Sequence, residues 1–433
     1  MAEKVLILGL SKSGIAAAKF AVSKGYDVYV TEKKNEVNLE QVKELQNLGV
    51  KIEHGSHSEE FISGASFAIT SPGIPPKSEI FRRLNEKNIK IISEVEFAYL
   101  NTKIPFIAIT GTNGKTTTTA LVSHILSKKF SAPVCGNIGV PPTSLIEENH
   151  DFLVCEISSY QAQMTEKFKA KIACWTNFTP DHIDWHGGLE NYFNAKAKIF
   201  LPPQEPEFAI LNAQDTKLKE FSKQCKNVIF FDDGNDCGIK NNSIFYKGEE
   251  IISLKDCPLV GHHNYQNIMC GIIIAKLVGM NNSDIREQIM SFRAPEHRLE
   301  KVREMDGITF FNDSKATNPE ASIVAIDSFN NQNVALILGG RDKNTDLTEM
   351  CHSINKHIKT VLLIGEATER FEENLKKNGF SNIIKEHTME DAIDKAISLK
   401  PDVVLLSPAC ASFDMFKSYE HRGEVFKDYV LSK

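Results

Sequence analysis

Phe106-Ile107-Ala108-Ile109-Thr110-Gly111-Thr112-Asn113-Gly114-Lys115-Thr116-Thr117-Thr118-Thr119 is the stretch that decides the class of fold. Its first five residues are apolar or β-branched and predict a buried strand. A glycine-containing turn follows, and then Ala120, Leu121, Ile125 and Leu126 recur at helical spacing. Strand, turn and helix in that order make a cradle for an anion. Glycines let backbone N–H groups curl around a phosphate without Cβ interference. The helix N-terminus adds unpaired donors and a favourable dipole. Lys115 is placed to reach outer phosphates, and the Thr116 hydroxyl to ligate Mg²⁺. The usual spacing wants a glycine at position 109, where this chain has Ile109, so the loop is a variant. The competing reading is a glycine-rich strand-to-helix turn with an incidental lysine.

Working outward, short apolar runs alternate with helix-length segments along the whole chain. Strands are expected at Val5–Leu8, Asp27–Val30, Phe67–Thr70, Phe106–Thr110, Phe152–Ile157, Lys171–Trp175, Val334–Leu338, Thr360–Ile364 and Val403–Leu406. That pattern indicates parallel sheets in α/β domains. With 433 residues, the chain exceeds what one core organises. Three α/β domains in series are expected, spanning residues 1–93, 94–297 and 298–433.

Composition narrows the function. The net charge of −6 shows no basic surplus for a nucleic acid, although local lysines can still serve a small acidic ligand. No apolar run approaches the ~20 residues of a membrane span, and Met1-Ala2-Glu3-Lys4 opens no leader. Nine cysteines without CxxC spacing, several inside apolar runs, fit a reducing cytosol.

Two more turns follow expected strands. Gly9-Leu10-Ser11-Lys12-Ser13-Gly14 resembles a dinucleotide fingerprint without its middle glycine, which argues against NAD and leaves room for a nucleotide diphosphate. Glu32 lies where a ribose-binding acid can sit, and a purely structural βα turn is the alternative. Thr70-Ser71-Pro72-Gly73-Ile74-Pro75-Pro76 could line the same cleft.

Further along, Glu156 closes an expected strand, where an acid can complete a Mg²⁺ shell. Asp181-His182-Ile183-Asp184-Trp185-His186 follows the next strand; it could bind metal, or Asp181 could cap a turn. Lys196 falls on the apolar side of a helix expected over 192–200. There a lysine either snorkels to water or carries a depressed pKa.

Taken with these features, the chain resembles the Mur ligases. The blocks that carry the likeness are Gly111–Thr117, Glu156 with Ser158-Ser159, Asn177–His182, Ala195-Lys196 and Gly261–Asn267. His297-Arg298, Asn312–Asn318, Gly339-Gly340 and Ser407–Asp414 complete them. The last blocks most resemble those of the D-glutamate-adding members, while the Asp-Asn-Pro-Arg box of the diamino-acid-adding member is absent. The resemblance implies a Rossmann-like N-terminal domain, a central P-loop ATPase-like domain and a Rossmann-like C-terminal domain. It also implies an ATP-dependent ligase, cytoplasmic and monomeric, joining D-glutamate to UDP-N-acetylmuramoyl-L-alanine through an acyl phosphate.

Residue by residue, the resemblance gives the phosphates of ATP to Gly111, Thr112, Asn113, Gly114, Lys115, Thr116 and Thr117. Asn267, Arg298 and Asp313 are implied nucleotide contacts. Two magnesium ions would be held by Thr116, Glu156, His182 and Lys196, the lysine as a carbamate. Lys115, His182 and Lys196 would carry the catalysis. Ser11, Gly73, Asn137, Ser158 and Gln161 are implied for the sugar nucleotide. Lys315, Thr317, Lys343, Ser412 and Tyr419 are implied for D-glutamate, Tyr419 standing where a phenylalanine is expected. A folylpolyglutamate synthase shares the chemistry. An NAD-binding oxidoreductase and a P-loop motor are the rivals from other classes.

Overall fold

A computed structural model describes residues 2–181, 183–259, 261–293, 296–329, 332–342 and 345–433, without the side chains of Asp184 and Glu320. It contains three sheets in two compact units, one of residues 1–257 and 266–292, the other of 258–265 and 293–433.

The first sheet is parallel. It contains β1 (Lys4–Leu8), β2 (Asp27–Glu32), β3 (Lys51–His54), β4 (Phe67–Thr70) and β5 (Lys90–Ser93), in the order β3-β2-β1-β4-β5. The chain reverses direction across the sheet between β1 and β4. In doubly wound folds the crevice at the strands' carboxyl ends opens at such a point. The Gly9 turn leaves β1 and Ser71 leaves β4 there, and the Ser11 and Ser71 hydroxyls lie 2.7 Å apart.

The second sheet has nine strands: β6 (Phe106–Thr110), β7 (Val134–Gly136), β8 (Leu153–Glu156), β9 (Ile172–Trp175), β10 (Phe208–Asn212), β11 (Val228–Phe231), β12 (Cys237–Lys240), β13 (Ser243–Tyr246) and β14 (Glu249–Ser253). Their order is β14-β13-β12-β11-β10-β9-β6-β8-β7, and only β12, β13 and β14 pair antiparallel. β6 lies between β8 and β9, so the phosphate loop, Glu156 and Thr176 all emerge at one carboxyl edge. Every residue of β6, β8 and β9 is buried, as expected of strands covered by helices on both faces.

These two sheets share one core. Rings of Phe20, Phe97, Tyr99, Phe106 and Phe168 meet edge to edge along it. The Glu96 carboxylate accepts the backbone N–H groups of Glu166, Lys167 and Phe168 at 3.0, 2.8 and 2.9 Å.

The third sheet, in the other unit, contains β15 (Glu300–Met305), β16 (Ile308–Asn312), β17 (Val334–Gly339), β18 (Thr360–Ile364), β19 (Ile383–Lys385) and β20 (Val403–Leu406). Its order is β15-β16-β20-β17-β18-β19, parallel except for the β15–β16 pair. Asp313, Ser407 and Gly340 follow the carboxyl ends of β16, β20 and β17. Among the described residues no helix is long and apolar enough to cross a membrane. Cys155 and Cys174 are free and buried, as their apolar settings predict.

Candidate active site

The loop after β6 is held on its outer side by the segment that leaves β9. Thr112 N donates to Asn177 O at 3.0 Å, Asn113 N to Asn177 Oδ1 at 2.8 Å, and Thr176 Oγ1 to Asn113 O at 2.6 Å. The Thr112 hydroxyl meets Thr179 O at 3.0 Å and the Tyr192 hydroxyl at 3.2 Å. Gly114, at φ +80°, starts the helix Lys115–Leu126 in the left-handed conformation that glycine adopts without strain. Nothing in the sequence singles out Thr176 or Tyr192 for this role, although Asn177 is the residue that opens one of the resembling blocks.

Two lysines converge on this loop. Lys115 Nζ donates to Gly111 O at 3.0 Å and Thr112 O at 2.7 Å. Lys196, on the helix Leu189–Ala197, donates to the same Gly111 O at 2.7 Å. Its side chain is 1% exposed. Burial lowers its pKa well below the ordinary lysine value, and the Lys115 charge lowers it further; Asp181 and Glu156 oppose them. Of the two possibilities the sequence leaves open, the buried amine with a depressed pKa is the one found.

Glu156 is 1% exposed at the end of β8. Asn137 donates to Oε1 at 2.8 Å, and Oε2 is buried without a hydrogen-bond partner. An orphaned, buried carboxylate oxygen beside Thr116's loop suits a hard cation, because oxygen ligands are what Mg²⁺ takes. Thr116 is buried at the start of the phosphate helix. His182 lies outside the described residues. Among the described residues no group of three His, Cys, Asp or Glu side chains converges as a ready-made metal cluster.

Beside this edge, the Tyr160 ring stacks on His186 at 5.6 Å and 13°, and His186 Nε2 lies 3.0 Å from the Ser159 hydroxyl. Burial, with Asp181 as the minor cause, pushes the Tyr160 phenol up to about 12, so it stays protonated. Ser158 and Gln161 form a reciprocal cap at the start of the short helix Ser159–Gln163, each accepting from the other's backbone N–H. The Ser11 hydroxyl caps the helix Lys12–Ser23, and Gly73 is exposed, with nothing within 4 Å of where a Cβ would stand. Glu32 accepts from Leu10 N at 3.0 Å, tying the end of β2 to the Gly9 turn.

Asn267 takes part in the phosphate loop directly: its Oδ1 accepts from the Thr118 hydroxyl at 3.0 Å. In the other unit, Asp313 accepts from Ser407 Oγ at 2.7 Å and Leu299 N at 3.1 Å. Burial pushes its carboxyl up to about 7 against those bonds and the charges of Arg298 and Arg422. Lys315 Nζ stands 5.5 Å from the centre of the Tyr419 ring, a cation–π distance. The Tyr419 phenol is pushed up to about 12, chiefly by burial. Ser412 is buried, and Thr317 lies in the loop between Lys315 and the helix Pro319–Ile326. Lys343 lies outside the described residues.

Arg422, 1% exposed, is the contact the sequence hides. Its guanidinium donates to Ser314 Oγ at 2.9 Å, Ser314 O at 2.8 Å and Cys410 O at 3.1 Å, joining the loops after β16 and β20. Its only sequence cue is the neighbouring Gly423, where a Cβ would collide with the His297 ring.

With the geometry in place, three family descriptions match in order: a MurD-like N-terminal domain over residues 3–93, a Mur ligase middle domain over 109–275, and a Mur ligase glutamate ligase domain over 297–410. The UDP-N-acetylmuramoylalanine–D-glutamate ligase of Caldanaerobacter subterraneus is 37% identical, covering 99% of this chain and 98% of that protein. The protein of the same name from Koribacter versatilis is 39% identical, covering 99% and 97%. Among solved structures, UDP-N-acetylmuramate-alanine ligase from Thermotoga maritima superposes with a TM-score of 0.62 at 20% identity, covering 99% of this chain and 100% of that one. Mycobacterium tuberculosis folylpolyglutamate synthase gives 0.59 at 15% identity, covering 77% and 94%. At such identities these two show the shared fold alone.

Proposed function

The chain belongs to the Mur ligase family, as an α/β protein of three Mur ligase domains, and from that premise we propose how its residues divide the work. It is an ATP-dependent ligase that joins D-glutamate to UDP-N-acetylmuramoyl-L-alanine, a step of peptidoglycan precursor synthesis. The observation that carries this reading is likeness over the whole chain, 37–39% identity to relatives of that one name.

Lys115, with the backbone of Gly111–Thr117, holds the phosphates of ATP; Asn267, Arg298 and Asp313 hold the rest of the nucleotide. Ser11, Gly73, Asn137, Ser158 and Gln161 hold the sugar nucleotide. Lys315, Thr317, Lys343, Ser412 and Tyr419 hold D-glutamate. Thr116, Glu156, His182 and Lys196 are the ligands for two magnesium ions. Bound Mg²⁺ supplies positive charge that offsets the repulsion between an attacking carboxylate and a triphosphate. The depressed pKa of Lys196 supports a carbamate there, since only the neutral amine adds CO₂ and the product is the oxygen ligand Mg²⁺ takes.

The terminal alanine carboxylate attacks the γ-phosphorus, ADP leaves, and an acyl phosphate forms. Lys115 balances the charge building on the transferred group. The neutral amine of D-glutamate then attacks the acyl carbon, phosphate leaves with the bond to oxygen, and an amide remains. We place the enzyme in the cytoplasm as a monomer, acting on small molecules and on neither nucleic acid nor membrane, with domain boundaries near residues 93 and 297.

The deciding experiment is phosphate release with UDP-N-acetylmuramoyl-L-alanine, ATP and a panel of D- and L-amino acids. D-glutamate should be the preferred acceptor by more than tenfold. Turnover independent of the amino acid, or preference for an L-diamino acid, would overturn the assignment.

A further inference from the structure

Glu94, the first residue of the helix Glu94–Leu100, is a buried acid that none of the roles above uses. It is 3% exposed. Its Oε1 accepts both from Thr143 N at 2.7 Å and from Thr143 Oγ1 at 2.6 Å, while Oε2 is buried without a hydrogen-bond partner. Burial pushes the carboxyl up to about 7, and the two Thr143 bonds pull against it. Packing alone does not ask for this, because an apolar side chain would fill the site without desolvating a carboxyl. The arrangement holds Thr143.

Thr143 lies in the turn Pro142–Ser144, which packs against two elements of the N-terminal part of the chain, the helix Glu94–Leu100 and the helix Lys12–Ser23. The same turn ends the loop that carries Asn137. That loop is closed by Gly136 N donating to Val140 O at 3.1 Å. It is fixed to β8 by Asn137 N donating to Glu156 O at 2.9 Å and Asn137 Nδ2 to Glu156 Oε1 at 2.8 Å. Only five residues separate Asn137 from Thr143, and two of them, Pro141 and Pro142, have φ set by their rings. Displacement of Thr143 therefore reaches Asn137 with little slack. The phosphate loop has its own ties, to Thr176 and Asn177.

We propose that Glu94 is a positioning residue for the acid substrate: by clamping Thr143 it sets the Asn137 loop against the helix that Ser11 caps, and so fixes the two ends of one extended ligand relative to each other. This deepens the proposed function, because it rests on Ser11 and Asn137 both serving the sugar nucleotide.

The test uses the full chain and four variants: Thr143→Val, Thr143→Ser, Glu94→Gln and the double variant Glu94→Gln/Thr143→Val. Thr143→Val keeps the shape and removes one hydrogen bond to the acid. It should raise KM for UDP-N-acetylmuramoyl-L-alanine about tenfold, the scale of a lost bond to a charged group. KM for ATP and the affinity for ADP should stay within about twofold. Thr143→Ser should restore the wild-type KM, and Glu94→Gln, whose amide oxygen still accepts, should fall between. The double variant should be no worse than the larger of the two single effects, because both act on one contact. A merely structural contact would instead lower Tm and kcat and leave every KM in place, which would overturn the proposal; so would equal rises for ATP and for the acid. Should Thr143→Val fail to fold, Glu94→Gln against Thr143→Ser gives the same split. A wild-type enzyme that makes no amide from this acid would sink the assigned function instead, before any variant is read.

Discussion

Gly114→Ala should cost more than a glycine of the same backbone conformation elsewhere in the same unit, and the excess measures how tightly the phosphate loop is packed. Gly114 and Gly25 have φ values of +80° and +81°. An added methyl strains either position by about 1–2 kcal/mol, the cost of the left-handed region for an L-residue. The loss of unfolded-chain freedom is the same in both and cancels. At Gly25 nothing lies within 4 Å of the new Cβ, whereas at Gly114 it would stand 2.6 Å from Asn267 Oδ1. Asn267 is buried, and that oxygen accepts from the Thr118 hydroxyl at 3.0 Å, so moving it breaks a buried hydrogen bond. Orphaning such a pair adds about 1–3 kcal/mol. Gly25→Ala should therefore lose about 1–2 kcal/mol and Gly114→Ala about 2–5, compared by urea unfolding of the full chain with equal m-values. Because Gly114 caps the phosphate helix, its variant should also weaken binding of a non-hydrolysable ATP analogue by about tenfold or more, with Gly25→Ala unchanged. Equal destabilisation of the two variants would refute the close packing of Asn267 on the loop.

Lys115→Ala should lower kcat in a phosphate-release assay by at least ~10²-fold, the scale of one lost transition-state charge partner; near-normal turnover would remove the loop from the mechanism. Lys196→Ala should be inactive yet partly restored by added acetate or formate, and equal activity with and without short acids would count against a carbamate. Lys343→Ala should raise KM for D-glutamate much more than for ATP, and parallel rises would misplace the amino-acid pocket. For Asp313, a folded pKa of about 7 above an ordinary 3.8 means folding favours the protonated form, so stability should fall as pH rises from about 4 through about 7. The fall is at most ~4 kcal/mol, and Asp313→Asn should flatten it; an unchanged slope in urea titrations across that window would refute the assignment.

How much of this was legible depended on whether a signal was local. All nine expected strands fall on strands of the structure, because apolar runs in buried parallel strands need no partner to be recognised. Some strands escaped although their runs are as apolar as the expected ones, Phe208–Asn212, Val228–Phe231 and Ile308–Asn312 among them; others are mixed, Lys51–His54 with one strongly apolar residue and Glu249–Ser253 opening on two glutamates at a sheet edge. Their pairing is decided by neighbours, not by their own composition. The helix expected over 192–200 is α-helical only over Leu189–Ala197, and Lys198–Phe200 tighten into a 3₁₀ turn before Pro202-Pro203, which cannot continue a helix.

The candidate site divides in the same way. Lys115, Thr116 and Glu156 were readable because a loop or a strand end announces them. Arg422 was not, since its acceptors on Ser314, Cys410 and Ala411 come from segments that approach it only in the folded chain. Glu94 was hidden for the same reason: it lies forty-nine positions before Thr143 in the chain. Ser158 and Gln161, implied by the resemblance for the sugar nucleotide, are found capping a helix, each accepting from the other's backbone N–H.

Lys115 and Lys196 meet at one carbonyl of the phosphate loop. Both ammonium groups face one acceptor, the Gly111 carbonyl, at 3.0 and 2.7 Å. The Lys115 charge disfavours a charge on Lys196 and adds to the cost of burial there. Lys115 is partly exposed at the loop's mouth; Lys196 is sealed beneath it, and its pKa is the one driven down. Two chemically identical side chains thus sit in different settings, one partly exposed and one buried. Asp181 and Glu156 limit the shift, so the amine stays within reach of negative charge that a neutral lysine alone could not balance. An amine whose charge is disfavoured by burial and by Lys115 is what supports the carbamate proposed at Lys196.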